Sequence, residues 1–582
     1  MRPLTALQIY SLDYVSIFAT NTAMKKHQLT LFKKLFAAAG LVTCAGSALA
    51  QAQYQPYSYQ FYQKLSDSVY STRNKFHSSI KPYIIADPVI QPRYKALMEL
   101  GVDTSVKHSW VHRKLFNEHL IDIKNDEYTF FADYLPDLTI GRDISDSRTT
   151  WLNTRGYQIG GTIGKNFYFY TSGFENQAVF ANYFDTYVNQ TSMVPGQAYN
   201  RNSITSKTKD WSYVTALLSY TANKYINIAA GYDKNFIGDG YRSMLLSDFG
   251  SPYSFFRITA TVGDVKYLVM WNYMTDRNAP VISSQLGLQK KWGVFHYLDW
   301  SVTNRLSLGF FDSIIWADND PQGNKRGFDF SYGHPIIFLR PVEAANGSPD
   351  NALIGFNGKY KLTDKVIVYG QFALDEFEAK NFFSGKGSSR NKFGWQVGLR
   401  GTNIFNIAKL NYLLEYNEAK PYTYSQTSSV IGYSHNNESL AHPYGANFKE
   451  GLGMLNYSYK RFDLSGQLTY SRYGLDVNGT NWGKNILLDY RTQERYAGPI
   501  EDTLPNSYYA TEGNYVGQGL ATNLYYAEAK AAYLLNAKYN LRIELGLLYR
   551  KETNAIYINN TKMVSIGLRS TFRNLYQDIT GF

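Results

Sequence analysis

Over much of this chain, apolar and polar side chains alternate one for one. In "YNLRIELGLLYRK" (539–551), Leu541, Ile543, Leu545, Leu547 and Tyr549 take one phase, and Arg542, Glu544 and Arg550 the other. "KYINIAAGYDK" sets Ile226, Ile228, Ala230 and Tyr232 against Asn227, Ala229, Gly231 and Asp233. "FDLSGQLTYS" sets Phe462, Leu464, Leu468 and Tyr470 against Asp463, Ser465, Gln467 and Thr469, while "KLNYLLEYN" keeps Asn411, Glu415 and Asn417 off the apolar face. "YYAEAKAAY" places Glu528 and Lys530 on one phase. A period of two is the signature of a strand. These runs are long: strands of soluble sandwiches average about five or six residues, whereas membrane-spanning strands need about 9–11.

The connections add a second signal. About eighteen strands are predicted, starting near 128, 154, 166, 211, 224, 254, 264, 293, 305, 352, 365, 393, 408, 451, 462, 524, 539 and 561, and the gaps are expected to alternate between short and long. Tight turns fall at "GKN" (164–166), "ANK" (222–224), "VGD" (262–264), "TNR" (303–305), "LTDK" (362–365), "YKR" (459–461) and "NAK" (536–538). Long segments lie at 176–210, 235–253, 274–292, 319–351, 377–392, 421–450 and 475–523. Short periplasmic turns with long outer loops are the asymmetry of an outer-membrane barrel, usually of even strand number. The predicted class is all-β: a transmembrane antiparallel β-barrel over 128–582, lipid on one face of each strand and lumen on the other. Backbone groups find no water in lipid, so such a sheet must close on itself. "MVSIGLRSTFRNLYQDITGF" (563–582) is expected to be the closing strand.

Composition supports this. The chain has 51 Tyr, 34 Phe and 45 Gly but 17 Pro; aromatic residues suit half-buried pleats and interfacial girdles, and few prolines interrupt the ladders. The mean hydropathy of −0.35 does not exclude a barrel whose strands average apolar with polar residues.

Lys25, Lys26, Lys33 and Lys34 precede the apolar "LFAAAGLVTCAGSALA", which ends in Ala48-Leu49-Ala50. This pattern predicts a cleaved signal peptide over 1–50, with Met24 as the native start. The single Cys of the chain, Cys44, lies within it, so the exported part has no thiol for a disulfide or a metal. Residues 1–50 carry five basic residues and one acid, which takes the net charge from +12 to +12 − 4 = +8. No basic run is dense enough to argue for nucleic acid. Residues 51–127 read as a periplasmic helical segment or plug, with short amphipathic helices at 60–76 and 91–102 and Leu97, Met98 and Leu100 as the buried face.

Polar groups at the outer strand–loop junctions are the candidate ligand-binding residues: Glu175 and Asn176; Asp239, Tyr241, Arg242 and Asp248; Arg340, Glu343 and Asp350; His442, Asn447 and Glu450. Such groups beside tyrosines can hydrogen-bond sugar hydroxyls while rings cover apolar sugar faces. They can equally pair with one another and fold the loops over the mouth, since buried charges persist mainly when paired. Asp233, Asp375, Glu415, Asp463, Glu528, Lys530, Arg542, Glu544 and Arg550 are assigned to a lumen network of both signs. That mixture fits a cross-linked interior better than an ion-selective pore. The histidines show no HExxH spacing, and no nucleophile elbow or P-loop is present, so no catalytic residue, metal or cofactor is expected.

Five stretches resemble a known family: "NTRGYQIGGTIGKNFYFYTSGFENQ" (153–177), "GYDKNFIGDGYRSMLLSDFGSPYSFFRI" (231–258), "YGHPIIFLRPVEAANGSPDNALIGFN" (332–357), "LAHPYGANFKE" (440–450) and "IGLRSTFRNLYQDI" (566–579). Together they resemble the RemB outer-membrane proteins of gliding bacteria, grouped with the Wzi capsule-assembly family. The resemblance implies an eighteen-stranded barrel with an N-terminal helical part in a Gram-negative outer membrane. It also implies a surface lectin role that holds capsular polysaccharide or supports gliding. No sugar-contacting residue is carried over from it. The expected partners are outer-membrane lipid, surface polysaccharide and further cell-surface proteins. The alternative readings are a structural subunit of a larger surface or secretion machine and a porin-like channel.

Overall fold

The structure is a computed structural model that describes residues 53–102, 106–281, 287–320, 322–335, 341–342, 345, 350–382, 385–476, 479–491, 512–573 and 575–581. The expected signal peptide, Arg340 and Glu343 lie outside the described residues.

Eighteen antiparallel strands close into a barrel. In chain order they are β1 (Tyr128–Asp143), β2 (Arg148–Ile163), β3 (Phe167–Val179), β4 (Lys209–Thr221), β5 (Ile226–Asp233), β6 (Tyr253–Val262), β7 (Val265–Thr275), β8 (Lys290–Trp300) and β9 (Leu306–Ala317). The other half comprises β10 (Asn351–Thr363), β11 (Val366–Glu376), β12 (Lys392–Gly401), β13 (Leu410–Ala419), β14 (Phe448–Tyr459), β15 (Phe462–Leu475), β16 (Leu520–Asn536), β17 (Leu541–Thr553) and β18 (Ile558–Ser570). β18 closes on β1 through the register Met563↔Asp143 to Arg569↔Asp137. Period-two alternation sorts the two faces: Leu138, Ile140, Leu468, Leu545, Leu547 and Ile566 stand exposed outside, while Asn227, Asp233, Glu415 and Glu544 are buried inside. The chain is an outer-membrane barrel, with its short-turn end toward the periplasm.

The expected alternation of gaps fails in two places. The outer connections 144–147 and 554–557 are tight, because pairing runs to the hairpin ends at Asp143↔Arg148 and Thr553↔Ile558. The first of these also moves the start of β2 from the expected 154 to Arg148.

The last expected strand is a larger correction. The sheet ends at Ser570, and residues 571–573 and 575–581 lie back in the lumen. Arg573 meets Asp233, Asp578 meets Arg242, and Thr580 meets Lys484 of the outer loop that follows β15. About ten extended residues span roughly 33 Å, enough to climb the barrel from one end to the other.

Residues 53–90 plug the short-turn end. The backbone N–H of Thr72 donates to Asp364 at 2.6 Å, Lys75 reaches Asp264 at 2.7 Å, and Lys361 donates to the carbonyls of Ser71 and Asn74 at 2.8 and 2.9 Å. The expected helix over 60–76 is broken into short turns at Tyr59–Tyr62, Gln63–Leu65 and Ser66–Val69. Its buried face is Tyr57, Phe61, Tyr62, Leu65, Val69 and Tyr70. Helix α1 (Gln91–Met98) has no buried residue; Leu97 and Met98 only fringe that cluster, and Leu100 is half-exposed. Aromatic side chains carry the packing because they fill a wide lumen more completely than short aliphatic ones. A second helix, α2 (Trp110–Phe116), follows outside the plug, and a third, α3 (Asn182–Thr191), lies in the outer loop after β3.

Candidate functional site

The lumen is where the chemistry-bearing side chains converge. The outer loop 234–252 dives inward until Ile80↔Ile237 and Lys81↔Phe236 pair antiparallel with the plug. The fold of this loop explains the burial of its polar residues. Gly240 sits where a Cβ would lie 2.2 Å from Glu415 Oε2, so glycine lets the β13 carboxylate reach the loop backbone. Glu415 accepts from the N–H groups of Tyr241 and Arg242 at 3.0 and 3.2 Å and from Tyr369 Oη at 2.7 Å.

Arg242 is the centre of the upper cluster. Its Nη2 lies 2.8 Å from Glu450 and 2.6 Å from Asp578, and its guanidinium stacks over Tyr241 at 4.8 Å. Tyr444 and Tyr576 complete the aromatic surround. His442 Nδ1 accepts from the backbone N–H of Tyr444 at 3.1 Å, so the ring proton is on Nε2, which donates to Glu450 at 2.7 Å. Burial lowers the His442 pKa to about 4, against the pull of Glu450, so the imidazole is neutral. The ring stacks on Phe448 at 4.2 Å. This His–Glu pair holds a loop in place.

Asp239 centres a lower cluster, where loop meets plug. Its carboxylate accepts from Tyr70 Oη at 3.0 Å and from Ser78 Oγ, with Lys359 Nζ at 3.8 Å. Burial alone would raise its pKa, but Lys359 and Lys81 hold it down at about 2. Lys81, buried in the plug, is itself lowered to about 7 by desolvation. Arg400 donates to the Asp239 carbonyl and stacks on Tyr70 at 4.4 Å.

The remaining candidates are placed as follows. Asp248 accepts from Tyr576 Oη at 2.6 Å. Asn447 is a clasp between loops: Nδ2 donates to the carbonyls of Gly474, Trp482 and Gln518, and Oδ1 accepts from the N–H of Gly517 at 2.7 Å. Asn176 is buried inside against Thr154 at 2.8 Å. Glu175 falls on the outward phase of β3 and pairs with Arg201 at 2.9 Å, on the opposite face of the wall from Asn176. Asp350 holds Arg326 through both oxygens at 2.6 and 2.8 Å and accepts from Tyr332 Oη at 2.8 Å.

The lumen charges all find partners. Asp233 meets Arg573 at 2.6 Å, Asp375 meets Lys392 at 3.5 Å, and Asp463 meets Lys64 of the plug. Glu528 pairs with Lys530 at 2.7 Å and Arg550 with Glu552 at 3.0 Å. Arg542, Glu544, Arg569 and Asp137 form a chain with links of 2.8, 2.7 and 2.9 Å. Sequence reasoning missed Arg573, Tyr576 and Asp578 because 571–581 was assigned to the wall. A signal was present: Tyr576, Asp578 and Thr580 fall on the phase that meets lipid in β18.

At the outer end some rings stay uncovered. Tyr199 is 44% exposed beneath the Arg277 guanidinium at 4.5 Å, and Tyr515 is 65% exposed. A further loop segment, 322–335, drapes over the outward face of β7–β9, where Trp271 and Trp316 donate to the carbonyls of Tyr332 and Gly327. Phe330 stands 86% exposed on that loop, edge-on to Phe328. Among the described residues, no group of three or more His, Cys, Asp and Glu is placed to hold a metal ion.

No protein-family model matches the sequence, and a search of curated proteins finds no match. Solved structures are similar in fold. Wzi of Escherichia coli, described as an outer-membrane protein involved in group 1 capsule assembly and a carbohydrate-binding β-barrel, superposes with a TM-score of 0.50 at 13% identity, over 90% of this chain and 100% of that one. OprD of Pseudomonas aeruginosa gives a TM-score of 0.39 at 10% identity, over 78% of this chain and 97% of that one. OccAB2 of Acinetobacter baumannii gives 0.39 at 8% identity, over 75% and 97%.

Proposed function

We propose that this protein is a closed outer-membrane anchor that holds surface polysaccharide on its outer loops, in capsule attachment or in gliding over surfaces. The observation that carries this reading is a locked outer face that still presents aromatic rings. The Arg242 cluster and the Asn447 clasp fix the inward loops from within, and Trp271 and Trp316 hold the loop of Phe330 against the wall, while Tyr199, Phe330 and Tyr515 remain exposed at 44%, 86% and 65%. Rings held on fixed loops, such as Tyr199 beneath Arg277, can cover apolar sugar faces while neighbouring polar groups bond hydroxyls, without first ordering the loops. The fold likeness to the carbohydrate-binding barrel Wzi agrees with this reading, and the RemB resemblance adds gliding as a second cellular readout.

The filled lumen speaks against a porin. Plug, inward loop and the C-terminal segment occupy its cross-section: the plug pairs with the loop as a two-stranded ribbon, and ion pairs tie the segment to the wall and to the loop.

The test is the Tyr199→Ala, Phe330→Ala, Tyr515→Ala triple variant at wild-type surface level. Retained polysaccharide and glycan-array binding are expected to fall. Wild-type values for both would overturn the reading, and loss of retention with intact glycan binding would move it to a subunit of a larger surface machine.

A further inference from the structure

Between the plug and the barrel the chain leaves an apolar surface uncovered. Val106, Trp110, Val111 and Leu115 are 60%, 61%, 56% and 45% exposed, and Ile121 and Ile123 follow at 47% and 44%. In a periplasmic cap, such a set would be an exposed hydrophobic liability. Three observations say what covers it.

The first is register. Residues Ile121–Lys124 form a short strand that pairs with β1 through Ile121↔Ala132 and Ile123↔Phe130. Directly paired residues project to the same face, so Ile121 and Ile123 continue the outward phase of β1 that carries Tyr128, Tyr134, Leu138 and Ile140. The apolar surface is thus continuous with the lipid-facing belt. The second is height. Helix α2 hangs on the short-turn rim: Asn536 Nδ2 donates to the carbonyls of Lys114 and Glu118 at 3.2 and 3.0 Å, and Tyr539 Oη donates to that of Lys114 at 3.3 Å. This is the level at which the hydrocarbon of the bilayer meets its headgroups. The third is chemistry. Residues 106–124 carry four cations (Lys107, Arg113, Lys114, Lys124) and two acids (Glu118, Asp122), a balance of 4 − 2 = +2. A Trp beside Lys and Arg is the composition of an interfacial segment: the ring sits at the headgroup boundary and the cations meet phosphates.

We propose that residues 106–124 form a membrane-seated foot, lying in plane in the periplasmic leaflet with Trp110, Val111 and Leu115 among acyl chains and Lys107 among phosphates. The foot ties the chain that leaves the plug to the bilayer at the barrel's rim, so the plug is held by lipid on one side and by the lumen on the other. This stands independently of what the outer loops bind.

The test uses the full chain with Cys44→Ser, to leave it free of other thiols, and single spin labels at Val111→Cys, Leu115→Cys and Lys107→Cys. The proteins are reconstituted in vesicles of phosphatidylethanolamine and phosphatidylglycerol, and folding is checked by heat-modifiable gel mobility. Labels at 111 and 115 are expected to be more accessible to oxygen than to a water-soluble nickel chelate, and the label at 107 the reverse. Labels at 111 and 115 that read as aqueous in a folded barrel overturn the proposal, whether or not another protein covers them in the cell.

Discussion

Arg242 and Glu450 face each other at 2.8 Å, with neither side chain reaching solvent. One residue comes from an outer loop and the other from the barrel wall, so this contact pins the loop inside. Removing one member of a buried pair leaves an uncompensated charge and costs about 3–5 kcal/mol. Here Arg242→Met would strand both Glu450 and Asp578. The expected outcome is a clear fall in the temperature at which the barrel unfolds in detergent, read by gel mobility. Adding Glu450→Gln and Asp578→Asn to Arg242→Met should recover part of the loss.

Arg573 grips Asp233 through both nitrogens, at 2.6 and 3.1 Å, and donates to Thr215 at 3.0 Å. That grip starts the upward path of residues 571–581. In planar bilayers the wild type should show little steady conductance. Arg573→Ala combined with Asp578→Ala, which frees both ends of the segment, is expected to produce frequent open events. Silent traces from this double variant, with the barrel folded, would mean that plug and inward loop seal the lumen without the segment.

Glu438 accepts from the N–H groups of Gly196 and Ser251 at 2.6 and 2.8 Å, joining three outer loops. Burial raises its pKa to about 7, although Gly196 and Lys234 favour the charged form. The closed loops therefore hold the Glu438 proton more tightly than loops opened to water, where the group keeps its ordinary value of 4.5. The stabilisation is full below that ordinary value and is lost as pH rises through about 7. The difference is on the order of 3 kcal/mol. Hydrogen exchange over 429–440, corrected for intrinsic rates, should show weaker protection at pH 8.5 than at pH 5.5. Glu438→Gln should flatten that dependence.

The barrel was legible because lipid imposes a period-two rule on the strands: Leu545 and Leu547 outside, Glu544 inside. β1 and β2 run for 16 residues each, with Arg142 and Arg155 also on the outward phase, and most strand starts follow to within a few positions. The lumen is less legible, since no periodicity governs what fills it. Asp239 meets Tyr70 and Ser78 across more than 160 positions of sequence, and Arg242 meets Asp578 across 336. Such pairings depend on which segments fold inward, and the sequence marks that choice only faintly, as where Asp578 and Thr580 fall on the lipid phase of β18. Glu175 was misplaced relative to Asn176 for a simpler reason: adjacent strand residues face opposite sides, so two neighbours cannot line the same cavity.

Gly240 offers the sharpest local test of the inward loop. A Cβ there would meet Glu415 Oε2 at 2.2 Å, the carbonyl of Arg242 at 3.0 Å and Gln396 Oε1 at 3.1 Å. Glu415 has little room to retreat, because Tyr369, Asn417 and two loop N–H groups hold both its oxygens. Overpacking of this kind costs about 1–3 kcal/mol, and it falls on the contact that seats the loop. Gly240→Ala should lower the unfolding temperature and increase conductance events. Gly451→Ala, where a Cβ meets nothing within 4 Å, should change neither. If Gly240→Ala behaved like Gly451→Ala, the loop would have to sit higher in the lumen, clear of Glu415, and the Arg242 cluster would lose its anchor.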